Sequence, residues 1–102
     1  MIKVYHSTGS SSDYALSDQE AAEKWQRGSY EPVAEIDTDD LEIAWFHTNH
    51  IDKPWWEDGK VTLIKQSRSS MVGDVFEQDG CFHRVCAAGF SKIDPELLQA
   101  GG

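Results

Sequence analysis

The feature that most constrains the fold is a short turn between two β-prone runs in the last third of the chain. The runs cover residues 72–77 and 81–87, and Gln78, Asp79 and Gly80 separate them. An Asp-Gly pair is typical of a tight hairpin, because the central positions of such a turn need a positive φ that these residues tolerate. The sequence therefore predicts an antiparallel pair of strands here.

The first two-thirds of the chain alternates between strand patterns and helix patterns. Residues 2–6 alternate in the way that a strand does. Ser17, followed three residues later by Glu20, forms a capping box, and Gly28 marks the end of that helix. The other predicted elements are a strand over 30–36 that Pro32 places at an edge or makes irregular at its start, a helix capped by Asp37 or Thr38 and running to about His47 with Leu41, Ala44, Trp45 and Thr48 on one face, a loop over 49–59, a strand over 61–64, a short helix begun by Asp94, Pro95 and Glu96, and a frayed tail over 99–102.

The length and the order of these elements predict one small domain. A chain of 102 residues suits a single hydrophobic core, to which Trp25 and Trp45 are assigned. The order βαβα followed by β-strands indicates an α+β fold. We expect a mostly antiparallel sheet with two helices on one face.

Charge is concentrated in the segment from residue 31 to residue 58. It holds nine carboxylates and one base, Lys53, and so accounts for eight of the nine net negative charges of the chain. Binding to nucleic acid or to an anionic membrane needs basic residues, so neither is expected to be a direct partner. The carboxylates of the segment are Glu31, Glu35, Asp37, Asp39, Asp40, Glu42, Asp52, Glu57 and Asp58.

Two interpretations of the acidic segment stay open. In the first, it is a solvated face, where acids favour a helix start and charged Glu31 and Glu35 protect one face of an edge strand from aggregation. In the second, the carboxylates imitate the phosphate backbone and bind a host protein with a basic surface. Trp55 or Trp56 would anchor that contact, since Trp is frequent in interface hot spots. The partner-binding residues predicted on this basis are Glu31, Glu35, Asp37, Asp39, Asp40, Glu42, Trp55, Trp56, Glu57 and Asp58.

The compartment is expected to be the cytoplasm of the host cell. The N-terminal residues lack the apolar core of a signal peptide, and no apolar run approaches the length of a membrane span. Cys81 and Cys86, if they lie on one strand, are roughly 16 Å apart, too far for a disulfide. We expect two reduced thiols.

Other polar groups are candidate ligands for a metal ion or an anion. His47 and His50 share a helical spacing, and Cys81, His83 and Cys86 are ligand types that zinc uses, but their spacing fits no standard zinc module. No metal and no cofactor is expected, although whether these side chains converge stays open. The serine-rich loops 7–12 and 67–74 are read as turns, with anion binding as the open alternative.

One resemblance covers the last third of the chain. The run Arg68-Ser69-Ser70-Met71-Val72-Gly73-Asp74-Val75, followed by Gly80, by His83-Arg84-Val85 and by Gly89-Phe90, resembles the YodL-like domains of small phage and mobile-element proteins. In that pattern a serine stands where this chain has Met71. The resemblance implies a mobile-element context. It carries no established activity.

A second resemblance lies at the N-terminus. Val4-Tyr5-His6-Ser7-Thr8 is similar to the first-strand motif of ADP-ribosyltransferases, with Ser7 in place of glycine. The resemblance implies that His6 would hold the nicotinamide ribose of NAD. An enzyme or nucleotide binder built on this chain would use His6, the 7–12 loop and Arg68.

The sequence thus leaves three hypotheses for function. The favoured one is a non-enzymatic inhibitor of a nucleic-acid-binding defence protein of the restriction or CRISPR type. The alternatives are a nucleotide- or NAD-binding enzyme and a virion or assembly component whose charge serves solubility.

Overall fold

The computed structural model describes residues 1–8, 17–48, 61–65, 70–86, 89–94 and 96 of the chain. These residues form two helices and one six-stranded antiparallel sheet with the strand order β3-β2-β1-β4-β5-β6. The elements are β1 (Ile2–Ser7), α1 (Asp18–Gln26), β2 (Tyr30–Ile36), α2 (Leu41–Thr48), β3 (Val61–Leu63), β4 (Val75–Gln78), β5 (Cys81–Cys86) and β6 (Gly89–Lys92). The predicted single α+β domain and its element order are confirmed.

Local sequence determines α1. Ser17 is the N-cap, and its hydroxyl accepts a hydrogen bond from the Glu20 backbone N–H at 3.1 Å. At the other end the backbone N–H groups of Gly28 and Ser29 donate to the carbonyls of Trp25 and Lys24, which closes a Schellman motif. Both predicted ends of this helix are confirmed.

The start of α2 differs from its prediction. The helix begins at Leu41, so neither Asp37 nor Thr38 is its cap. Thr38 Oγ1 accepts a hydrogen bond from the Asp40 N–H, and Asp40 Oδ1 accepts one from the Glu42 N–H. Asp40 therefore acts as the capping side chain, because β2 pairing continues to Ile36 and the residues that follow first make a turn.

The two helices lie on opposite faces of the sheet, which corrects the predicted placement on one face. Ala44 of α2 belongs to a core cluster with Ile2, Val4, Ile36 and Phe76. The predicted apolar face of α2 is confirmed, since Ala44 and Thr48 are buried and Leu41 and Trp45 pack against that cluster.

On the other face, α1 places Trp25 among Tyr5, Tyr30 and Phe82, with ring centroids 4.8–5.9 Å apart. Strand β1 explains the arrangement, because Ile2 and Val4 pack into the core on one side and Tyr5 packs into it on the other. Each face of the sheet is therefore packed against its own helix. A carboxylate also joins α1 to the sheet, where Asp18 accepts hydrogen bonds from Arg84 Nε at 3.0 Å and Ser91 Oγ at 2.9 Å.

The predicted hairpin is confirmed and a further strand follows it. Gln78 pairs with Cys81, and the two residues between them, Asp79 and Gly80, have φ values of 51° and 81°. Strand β6 pairs with β5 and was not predicted from the sequence. The run 72–77 becomes a strand only at Val75, because residues 71–74 form a turn.

Some predicted features fall outside the described residues. These are the loop over 49–59, most of the loop 7–12, residues 67–69 of the loop 67–74, most of the terminal helix and the tail over 99–102. At the start of that helix Asp94 Oδ1 accepts a hydrogen bond from the Glu96 N–H at 2.9 Å. Neither α1 nor α2, the helices of the described ranges, has the length and apolar content needed to cross a bilayer.

The hairpin turn provides a test of the fold. Gly80→Ala is expected to lower the free energy of unfolding by about 1–2 kcal/mol, because an L-residue is strained at positive φ. The added Cβ meets no atom within 4 Å, so backbone strain is the only source of the loss. Asp79→Asn, the matched variant, should change stability by less than about 0.5 kcal/mol, since Asn suits this turn position equally well. Urea unfolding of the two variants measures both values. Equal stability of the two variants would contradict the positive φ of Gly80 in the hairpin turn.

Candidate functional site

Exposed carboxylates gather at one end of the sheet. Ile2 at the start of β1 pairs with Ile36 at the end of β2 and with Gln78 at the end of β4. The residues that follow these two strand ends therefore lie at the same end of the sheet, on either side of β1, and the Gln78 side-chain amide donates to the Asp39 carbonyl. We call this surface the acidic end. Its carboxylates, all exposed, are those of Asp37, Asp39, Asp40, Glu42 and Asp79.

The electrostatics of the acidic end show at the Met1 amine. The amine donates to Asp39 Oδ1 at 3.0 Å. The hydrogen bond with Asp39 raises the pKa of the amine, against a smaller opposing effect of desolvation, and the charges of Asp39, Asp79 and Asp37 raise it further. Three carboxylates from two separate segments thus act on one point. Asp79 was not among the predicted residues, since only the pairing of β1 with β4 brings it here.

Glu31 and Glu35 do not belong to the acidic end. Glu31 pairs with His6 and Glu35 pairs with Lys3, so the two side chains project to opposite faces of the sheet. A register shift between Val4 and Tyr5 separates them, where simple alternation predicted a shared face. Glu31 also lies six residues, about 20 Å, from Asp37 along an extended strand. Its carboxylate is 2.7 Å from the Lys65 ammonium.

The aromatic part of the predicted site lies outside the described residues, as do two of its acids. This applies to Trp55, Trp56, Glu57 and Asp58, and also to Asp52 and Lys53. The described residues offer a different apolar surface on α2. There Phe46 has an exposed fraction of 65% and Ile43 one of 40%.

A second constellation, which we call the buried polar cluster, consists of His6, Ser70, Asp74 and Tyr30. His6 Nε2 is 2.8 Å from Ser70 Oγ and 3.8 Å from Asp74 Oδ2. Asp74 accepts hydrogen bonds from the backbone N–H groups of Ser7 at 2.9 Å and Met71 at 2.8 Å. Tyr30 donates its hydroxyl to the Gly73 carbonyl at 2.7 Å.

The geometry of the buried polar cluster indicates a structural role. A Ser–His distance of 2.8 Å suits a nucleophile and its base, but Asp74 approaches the same imidazole nitrogen as Ser70. In a catalytic triad the carboxylate holds the other nitrogen. The side chains of His6, Ser70 and Asp74 are each 2% exposed or less. Their bonds tie the 70–74 turn to β1.

Burial also affects the tyrosine and bears on the role predicted for His6. Desolvation, with the nearby Asp74 charge, raises the pKa of Tyr30 well above its ordinary value, so its hydroxyl keeps the proton that it donates. His6, which the ADP-ribosyltransferase resemblance assigns to a ribose, has an exposed fraction of 1% and bonds inside the protein. Arg68 and the rest of the 7–12 loop lie outside the described residues.

The Cys and His residues of β5 do not all lie on one face of the strand. Strand alternation places Cys81 and His83 on one face and Cys86 on the other. Within the described residues, no group of three or more Cys, His, Asp or Glu side chains could hold a metal ion. Both cysteines are free thiols, as predicted. His47 lies near the end of α2, and His50 falls outside the described ranges.

Substitution of Asp74 tests whether its buried carboxylate stabilises the 70–74 turn. Asp74→Asn is expected to lower the free energy of unfolding by about 2–3 kcal/mol, since the amide nitrogen cannot accept a backbone N–H bond and leaves a buried donor unpaired. Asp94→Asn, at an exposed carboxylate that accepts one backbone bond, is the control and should cost less than about 1 kcal/mol. Denaturant unfolding gives both values. Similar losses in the two variants would show that Asp74 does not secure the turn.

His83 supplies a pH-dependent test of the sheet register. Burial lowers the pKa of His83 below its usual 6.5, and the positive charge of Lys92 lowers it further. Lys92 lies directly across from His83 on β6. Lys92→Gln should therefore raise the pKa of His83, measured by NMR titration of the imidazole, whereas Lys65→Gln should not. The unfolded chain binds more protons between the lowered pKa and 6.5, so this group favours unfolding as pH falls through that window. An unchanged pKa in Lys92→Gln would contradict the pairing.

No protein-family model matches the chain, and neither a curated protein nor a solved structure matches it. What this protein does is therefore argued from the residues of the acidic end and of the helix beside it.

Proposed function

We propose that this protein binds and inhibits a nucleic-acid-binding protein of its host, of the restriction or CRISPR type, by occupying a basic groove. The observation that carries the proposal is the convergence of exposed carboxylates from two segments at the acidic end. The phage or mobile-element context comes only from the resemblance of the 68–75 run to YodL-like domains.

The spacing and charge of the acidic end suit it to imitate the phosphate backbone of DNA. A groove that binds phosphates presents Lys and Arg at short intervals, because duplex DNA carries one charge per ~1.7 Å of its axis. Asp37, Asp39 and Asp40 lie within four residues of one another, and Asp79 adds a carboxylate from the neighbouring hairpin. Such a surface speeds association with a cationic partner by electrostatic attraction. Added salt screens this attraction steeply.

The proposed binding surface contains fewer residues than the segment predicted from the sequence. It keeps Asp37, Asp39, Asp40 and Glu42 and adds Asp79. Glu31 and Glu35 are left out because they face opposite sides of β2, and Glu31 is paired with Lys65.

A charge-matched pair of variants tests the proposal. Asp39→Asn/Asp40→Asn/Glu42→Gln removes three charges from the acidic end, and the Asn side chain at position 40 still offers an oxygen to cap α2. Glu20→Gln/Glu23→Gln/Glu96→Gln removes three exposed charges elsewhere. We expect the wild-type chain to inhibit DNA cleavage by at least one complex in a panel of purified restriction and CRISPR effectors. The first variant should associate about tenfold more slowly with that complex, and the control should match wild type.

Salt and DNA competition complete the test. Affinity should fall steeply with sodium chloride, and duplex DNA should compete with the protein for the effector. Cleavage unaffected throughout the panel, or equal loss of binding in the two triple variants, would contradict the proposal. Equal unfolding midpoints of the variants would establish that charge and not folding is responsible.

A further inference from the structure

The outer face of α2 carries apolar side chains that the core does not use. Ile43 and Phe46 are three residues apart, so they lie on the same side of the helix. Their exposed fractions are 40% and 65%. On the other side of the helix, Ala44 and Thr48 are buried against the sheet. On the side away from the sheet, α2 therefore exposes apolar surface to solvent, where a partner protein can contact it.

Acidic residues border this apolar pair. Glu42 lies one turn before Phe46, and Asp40 precedes Ile43 by three residues, about 4.5 Å along a helix axis. The ring of His47 contacts the Phe46 ring, with centroids 5.6 Å apart. An apolar centre with a charged rim is the composition of a specific protein interface.

We propose that Ile43 and Phe46 insert into an apolar depression beside the basic groove that receives the acidic end. The inference rests on the proposed function and specifies its partner as a folded protein with Lys and Arg around an apolar pocket. Charge complementarity selects this occupant. A second copy of the chain, paired across a two-fold axis, would bring the acidic rim against itself.

The two parts of the surface have separate kinetic effects. Exposed charges act mainly on the rate of association, and well-packed apolar anchors act mainly on the rate of dissociation. Phe46 is the stronger anchor, because aromatic side chains bury the largest area in a pocket. A small molecule is a poorer fit, since a convex helix face cannot enclose it.

Photo-crosslinking identifies the occupant. A photoreactive benzoylphenylalanine replaces Phe46 in one variant and Ile64, an apolar side chain with an exposed fraction of 48%, in the control. Both proteins are irradiated with the heparin-binding protein fraction of a bacterial lysate, and adducts are identified by mass spectrometry. The expected result is an adduct at position 46 with a nucleic-acid-binding protein, lost when heparin is added. An adduct pattern equal to that of the control, or an adduct with a second copy of this chain, would overturn the inference.

Kinetics with the identified protein then separate this inference from the proposed function. Phe46→Ser should dissociate about tenfold or more faster with an unchanged salt dependence, whereas Ile64→Ser should match wild type. Equal dissociation rates of the two serine variants would overturn the apolar anchor and leave the charge proposal standing. If Phe46→Ser dissociates faster but neutralising Asp39, Asp40 and Glu42 changes nothing, the mimicry and the cationic partner are both rejected.

Discussion

The pairing of β1 with both β2 and β4 is the constraint on which the other features depend. It places the first strand inside the sheet, where side chains on both of its faces are buried. The helices must then divide between the faces, with α2 over Val4 and α1 over Tyr5. The same pairing brings the ends of β2 and β4 together, so the acidic end is a product of strand register and not of sequence proximity alone.

Elements set by neighbouring residues could be predicted, and elements set by distant residues could not. Ser17 with Glu20 defines the start of α1, and Asp79-Gly80 defines the hairpin, because each interaction spans at most three residues. By contrast, β6 contains Gly89 and Lys92 and forms a strand only because β5 offers an edge. The start of α2 was wrong because Asp37, Thr38 and Asp40 are all good caps, and the extent of β2 decides among them.

The candidate site was predicted in part for the same reason. The run from Asp37 to Glu42 carries its charge in the sequence itself, so its exposure was foreseeable. A single register shift in β1–β2 pairing reverses the face of Glu31, and such irregularities leave no reliable trace in one sequence. The bond between His6 and Ser70 spans 64 residues. Strand β1 and the 70–74 turn are thus joined in space, a relation that the sequence alone does not contain.

Structural roles account for only some of the charge at the acidic end. Asp39 pairs with the Met1 amine, and Asp40 caps α2. Glu42 lies in the first turn of α2, where the helix dipole stabilises an acid by about 0.3–1 kcal/mol. Asp37 and Asp79 instead add negative charge beside the Met1 amine and raise its pKa.

Solubility alone is an incomplete account of this surface. Charge that served only solubility would work equally well dispersed over the molecule, and it would not need an exposed Phe46 beside it. An exposed phenylalanine works against solubility, because apolar surface promotes non-specific association. The combination is consistent with a surface where the carboxylates attract a basic partner and the apolar pair holds it.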